Sequence, residues 1–117
     1  MAQPRFPDDP AFKFLRLCDY TAFNRHVTGK SVIDFSDADL RGVDFRGVVN
    51  IEKLNVRGSY MRDADLRGLD LRSWDMEGCS LYHAKISGAY FPENIPAQEL
   101  CNSVQLGTRI RASIVMA

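Results

Sequence analysis

The chain has 117 residues, one domain's length, and 45% of them are hydrophobic, enough to build a core. Fifteen Lys and Arg balance fifteen Asp and Glu, so the basic excess of a nucleic-acid binder is missing and nucleic acid is not an expected partner. No run of about 18 apolar residues occurs, which excludes a membrane-spanning helix. Met1 to Phe14, with Pro4, Pro7, Asp8, Asp9 and Pro10, lacks the basic-then-apolar layout of a signal peptide, so a cytoplasmic location is expected.

Residues 1–32 read as an N-terminal helical cap. Asp9 followed by Pro10 is a helix start, an N-cap and then a first position that needs no N–H. Phe12, Leu15, Tyr20 and Phe23 are placed to cover whatever follows. Cys18, Cys79 and Cys101 are odd in number and show no C-x-x-C spacing, so neither a disulfide framework nor a zinc site is indicated. They are expected as buried or half-buried thiols. His26 and His83, the two histidines, have no Cys, Asp or Glu at ligand spacing, and neither is expected to hold a metal or act as a general base.

Residues 33–93 repeat every five positions. Large apolar centres recur at Phe35, Leu40 and Phe45. After one extra residue, placed at Val48, they resume at Ile51, Val56, Met61, Leu66, Leu71, Met76, Leu81, Ile86 and Phe91. The residue two before each centre is mostly apolar or small, the residue one before is polar, and glycine recurs two after. Such a period fits neither a helix nor a continuous strand. It fits a short strand of about three residues followed by a turn, where glycine accepts a positive φ. Each unit then makes one side of a square, and four units close one coil.

Residues 94–117 read as a C-terminal helical cap and tail. Pro96 to Leu106 is a short helix closed by Gly107, with Leu100 and Val104 one turn apart on the face that should meet the last coil. The tail Ala112 to Ala117 is apolar and small, and reads either as disordered or as a contact for a second subunit in a homo-oligomer.

The segments Ala38-Asp39-Leu40-Arg41-Gly42 and Ala64-Asp65-Leu66-Arg67-Gly68 resemble the A(D/N)LxX motif of pentapeptide-repeat proteins. The flanks resemble those of small bacterial members, with an N-terminal helical segment and a stretch such as Phe91-Pro92 followed by Gly107-Thr108-Arg109-Ile110-Arg111. The resemblance implies an all-β solenoid: a right-handed quadrilateral β-helix of about three coils, about 15 Å tall at strand spacing, with helices over its ends.

Stacking every fourth unit sorts side chains by bulk. On face one the inward column is Ile33, Leu54 and Trp74; on face two it is Ala38, Ser59 and Cys79; on face three Val43, Ala64 and Ala84. Trp74 departs from the small residue the motif prefers, and it must either widen the coil or swing outward. Asp44, Arg46, Asp65 and Arg67 of face three should form a ladder of alternating sign.

Face two carries Arg41, Tyr60, Arg62 and Tyr82 with His83 beside them, residue types enriched at binding hot spots. These five are the candidate partner-contact patch. No phosphate-binding glycine motif and no nucleophile–base set is present, so no catalytic residue, metal or cofactor is assigned. The expected function is a non-enzymatic protein-binding or scaffold module with an unidentified protein partner. The alternative implied by the resemblance is a duplex-DNA mimic that binds type II topoisomerases. Residues 33–93 carry eight basic and eleven acidic residues, and the short stack spans only about four to five base pairs; both argue against it.

Overall fold

The computed structural model describes residues 3–112. Helix α1, Pro10–Arg16, begins where Asp9 accepts a hydrogen bond from the Ala11 N–H at 2.9 Å. It stops at Cys18, which takes a left-handed φ of 57°. Asp19 then caps α2, Tyr20–Thr28, through the Ala22 N–H. The two helices bury Ala11, Leu15, Phe23 and Val27, and Phe12 and Phe23 set their rings against Phe35 at 5.9 and 6.5 Å. The expected helix start at Asp9 and the covering role of Phe12, Leu15, Tyr20 and Phe23 match what is observed. The break into two helices was not read from the sequence.

Beyond α2 the chain repeatedly returns alongside itself. Strands β1, Ile33–Asp34, and β2, Leu54–Asn55, pair in parallel, with Ile33 opposite Leu54. Isolated parallel bridges continue the pattern: Asp39 with Tyr60 and Tyr60 with Ser80; Asp44 with Asp65 and Asp65 with Lys85; Asp70 with Tyr90. Partners lie 21 residues apart in the first step and 20 in the second. Residues 33–53, 54–73 and 74–93 thus form three layers, and the bridges fall in the four columns expected for faces one to four. Regular strand is confined to β1 and β2. A turn in every five residues leaves too few extended residues elsewhere for a continuous ladder.

Most turns share one form; exceptions are those whose third residue is Gly47 or Ser73, where φ is not positive. The carbonyl of each centre accepts from the N–H three residues on, as in Val43 to Leu40 (3.2 Å), Ala64 to Met61 (3.1 Å) and Ala84 to Leu81 (2.8 Å). The third turn residue has positive φ at Gly42, Gly58, Gly68, Gly78 and Gly88, and equally at Asp37, Asp63 and His83. That is the requirement of a type II turn, which Asp and His meet better than most residues. At Gly78 the stack adds a second constraint, since an added Cβ would lie 3.3 Å from the Gly58 Cα.

The interior holds both the centres and the residues two before them. Phe35, Leu40, Phe45, Met61, Leu66, Leu71 and Leu81 have no exposed surface. Trp74 points inward. Its indole Nε1–H donates to the Ile51 carbonyl at 2.7 Å and its ring stands edge-on to Phe45 at 5.5 Å. From the start of the third layer it thus reaches the first.

The extra residue does not sit at Val48. Val48 is buried and its N–H donates to the Phe45 carbonyl at 3.1 Å, as in a regular unit. The chain instead bulges over Val49 and Asn50, with Val49 71% exposed, and closes a 3-10 turn, Ile51–Lys53. Pushing the surplus residue outward lets Ile51 return to the interior, as a bulge does in a strand. The cysteines also depart from expectation: Cys79 is buried, but Cys18 and Cys101 are exposed. Cys18 occupies the corner between α1 and α2, and Cys101 lies away from the core-facing Ser103 on helix α3, Ala97–Leu106.

Both ends of the stack are covered. On the first layer, Arg16 donates to the Arg41 carbonyl, Tyr20 to the Asp44 carbonyl and Asn24 to the Gly47 carbonyl. On the third, the Leu81 N–H donates to the Ser103 hydroxyl and the His83 N–H to the Val104 carbonyl of α3. Arg5 makes a parallel bridge with Ala38, and Arg109 an antiparallel one with Ser80, so short extended segments flank face two on both sides. These groups satisfy backbone donors and acceptors that the outer layers would otherwise present to water.

Candidate functional site

The outer surface is built from one repeated device. In Asp39-Leu40-Arg41 the central leucine points inward, so the aspartate before it and the arginine after it emerge on the same side. The Asp39 carboxylate accepts from the Arg41 backbone N–H (3.2 Å), Nε (2.8 Å) and Nη2 (2.7 Å). The same three bonds recur in Asp44/Arg46, Asp65/Arg67 and Asp70/Arg72. Arg46 also reaches Asp65 at 3.3 Å, which makes the alternating ladder on face three.

These guanidinium bonds hold the Asp65 and Asp70 carboxyls down to about 2. Asp39 and Asp44 are lowered for the same reason. The position before the centre is not uniformly a surface one: Asp39 and Asp65 are buried, each with extended neighbours on both sides.

The device is not present throughout: among the described residues face one has no such clip, and face two has it at Asp39/Arg41 but not in its second layer. Tyr60 stands where an aspartate would, so Arg62 has no clip. Among the described residues it makes no hydrogen bond to a carboxylate, and its nearest is Asp63 at 3.7 Å. Its guanidinium lies over the Tyr82 ring, 5.1 Å from the centroid. Tyr82 in turn stacks on His83, with centroids 3.9 Å apart and planes 22° from parallel. Arg109 lies over the Tyr60 ring at 4.6 Å, donates to the Tyr60 hydroxyl and bonds the Gly78 carbonyl at 2.7 Å.

Of the five patch residues, Arg41, Tyr60, Arg62 and Tyr82 line one groove of about 340 Å³, together with Ser80, Leu106 and Gly107. His83 does not line it. It supports Tyr82 from behind and occupies the positive-φ corner of its turn. Arg109 and Leu106 were not foreseen as part of this face. The alternation Arg109-Ile110-Arg111 around buried Ile110 is the signal that an extended segment lies there.

His26 is engaged structurally: its Nε2 lies 2.8 Å from Asp9 Oδ1, which ties the end of α2 to the start of α1. Among the described residues no group of three or more His, Cys, Asp or Glu is arranged to hold a metal ion. No helix among them is long and apolar enough to cross a membrane.

Parallel layers of five-residue units with helical flanks define a repeat protein. Residues 59–93 match the family model for pentapeptide repeats, in eight copies. No curated protein and no solved structure matches the chain. Residues 33–58, outside the matched segment, make the same turns and bridges as those within it.

Proposed function

We propose that the chain is a non-enzymatic protein-binding or scaffold module, and that face two is where it meets a protein partner. In this reading residues 33–93 form a right-handed quadrilateral β-helix of three coils, with residues 1–32 and 94–117 as its caps. The parallel bridges 20 and 21 residues apart support that architecture, which pentapeptide repeats usually adopt.

One observation carries the functional reading. Two tyrosines and two arginines from three layers converge on a single groove, and of these arginines Arg62 is not tied to an aspartate two residues earlier, as Arg41 and those of faces three and four are. Tyrosine and arginine anchors in a concave site are the residues that dominate interface energetics. The DNA-mimic alternative has less support, because rows of carboxylates clipped to guanidiniums do not present an unbroken negative face.

The test is site-specific photo-crosslinking in cells, with a benzophenone amino acid at position 82 or, as the control, at position 72 on face four. A protein captured from position 82 and not from position 72 is the expected result. Equal capture from both positions, or none from 82, refutes the assignment to face two.

A further inference from the structure

We infer that the face-two groove binds a carboxylate of an acidic peptide, with Arg62 as the principal ligand. This rests on the reading of face two as the contact face, and names the chemistry it recognises.

The case begins with what the repeat does elsewhere. Arg41, Arg46, Arg67 and Arg72 each spend Nε and Nη2 on both oxygens of an aspartate two residues earlier. A guanidinium prefers this bidentate partner because its planar fork matches a carboxylate. Two repeat arginines lack that partner: Arg57, with Asn55 two before it, bonds Asp75 at 2.8 Å instead, whereas Arg62, with Tyr60 two before it, has no such substitute among the described residues. Among the described residues its remaining carboxylate contact, 3.7 Å to Asp63, is beyond hydrogen-bond length, and the Arg62 side chain is 58% exposed. The fork is thus open at the mouth of the groove.

It is also held in place. Tyr82 lies beneath Arg62, His83 stacks on Tyr82, and the His83 backbone is tied to Val104 of α3 at 3.0 Å. An arginine oriented by an aromatic face loses less freedom on binding than a free one.

Charge and shape select the ligand. Among the described residues no Asp or Glu lines the groove; Arg41 and Arg62 do, and Arg109 lies on its Tyr60 wall. Tyr60, Tyr82 and the 70% exposed Leu106 supply apolar walls for a peptide's aliphatic segments. A duplex or single strand would call for a stripe of many basic residues along the backbone. Arg41 is already held by Asp39 and Arg109 by the Gly78 carbonyl, so the groove offers one open fork, that of Arg62, which matches a single carboxylate with the other two guanidiniums adding positive charge beside it.

The full-length chain would be titrated into fluorescein-labelled hexaglutamate, hexalysine and a short single-stranded oligothymidine, with fluorescence anisotropy as the readout. Hexaglutamate should bind, weaken with added salt, and bind more tightly than either other probe. Arg62→Ala should weaken it about tenfold, the loss of one charge-assisted contact, and Arg72→Ala, on face four, should leave it unchanged. Arg62→Lys keeps the charge without the fork and should also weaken it. Circular dichroism confirms that each variant is folded.

Absence of hexaglutamate binding overturns the inference, as does equal binding by wild type and Arg62→Ala. Tighter binding of oligothymidine overturns it in favour of nucleic acid. A protein crosslinked from position 82 together with no hexaglutamate binding overturns this inference and leaves the contact face standing.

Discussion

Consider Trp74→Phe, which separates an interior indole from a surface one. The indole N–H bonds the Ile51 carbonyl at 2.7 Å in a buried setting. That carbonyl also accepts from the Leu54 N–H, so the substitution removes one bond without orphaning the acceptor, a loss of about 1 kcal/mol. The smaller ring gives up roughly 50 Å² of buried surface, worth about 1 kcal/mol at about 25 cal/mol per Å². Incomplete collapse around Phe45 adds a cavity contribution, for a total of about 2–3 kcal/mol.

Urea unfolding followed by circular dichroism measures the change, with Val49→Ala, at a 71% exposed site, as a control expected within about 0.5 kcal/mol. Trp74 is the single tryptophan, so native fluorescence gives an independent check: emission should be that of a shielded indole and resist quenching by iodide. A change below about 0.5 kcal/mol for Trp74→Phe, or an indole readily quenched in the native state, would refute the account of the interior given above.

Acid should act through the clipped aspartates. Because the folded-state values of Asp65 and Asp70 are depressed from 3.8 to about 2, their contribution is present above about pH 4 and is lost as pH falls toward about 2; Asp65→Asn should flatten the acid limb of a plot of stability against pH. Arg109→Ala removes the bonds to the Gly78 carbonyl and the Tyr60 hydroxyl and should cost about 1–3 kcal/mol, with faster amide exchange at Gly78 and Ile110 and little change at Phe45. Gly78→Ala forces a side chain to φ +77° and against Gly58, and should cost at least about 1–2 kcal/mol by thermal unfolding. Thiol titration should find Cys18 and Cys101 reactive in the native protein, whereas Cys79, buried and with its thiol pushed up to about 11, should react only on unfolding.

The repeat was legible because its inward positions demand one class of side chain at one spacing. The columns Ile33/Leu54/Trp74 and Ala38/Ser59/Cys79 stack as that spacing implies. The corner column was legible only in part. Gly42 and Gly68 announce a positive φ, but Asp37, Asp63 and His83 do the same work under other names. The surplus residue was misplaced because Val48 and Val49 are chemically identical, and only the turn bond from the Val48 N–H distinguishes them.

Burial of Asp39 and Asp65 was hidden for a different reason. Each has an extended neighbour on both sides, Arg5 and Tyr60 for Asp39, Asp44 and Lys85 for Asp65, a stacking that alternation alone does not express. For the candidate site, the clustering of Arg41, Tyr60, Arg62 and Tyr82 follows from register. The contribution of Arg109 depends on where the last extended segment docks, a long-range pairing with no local signature.

Arg5 beside Ala38 and Arg109 beside Ser80 have a consequence for how this molecule can associate. A sheet with an open edge invites a foreign segment to extend it by backbone pairing, which is also how fibrils propagate. On face two both lateral positions are taken by the chain's own termini, and the last one runs antiparallel, out of phase with the layers beneath it. Another chain could continue that ladder only after Arg109 and Ile110 had been peeled away from Gly78 and Cys79. The parallel stack therefore ends there on a segment that already pairs the outward backbone groups of Gly78 and Cys79.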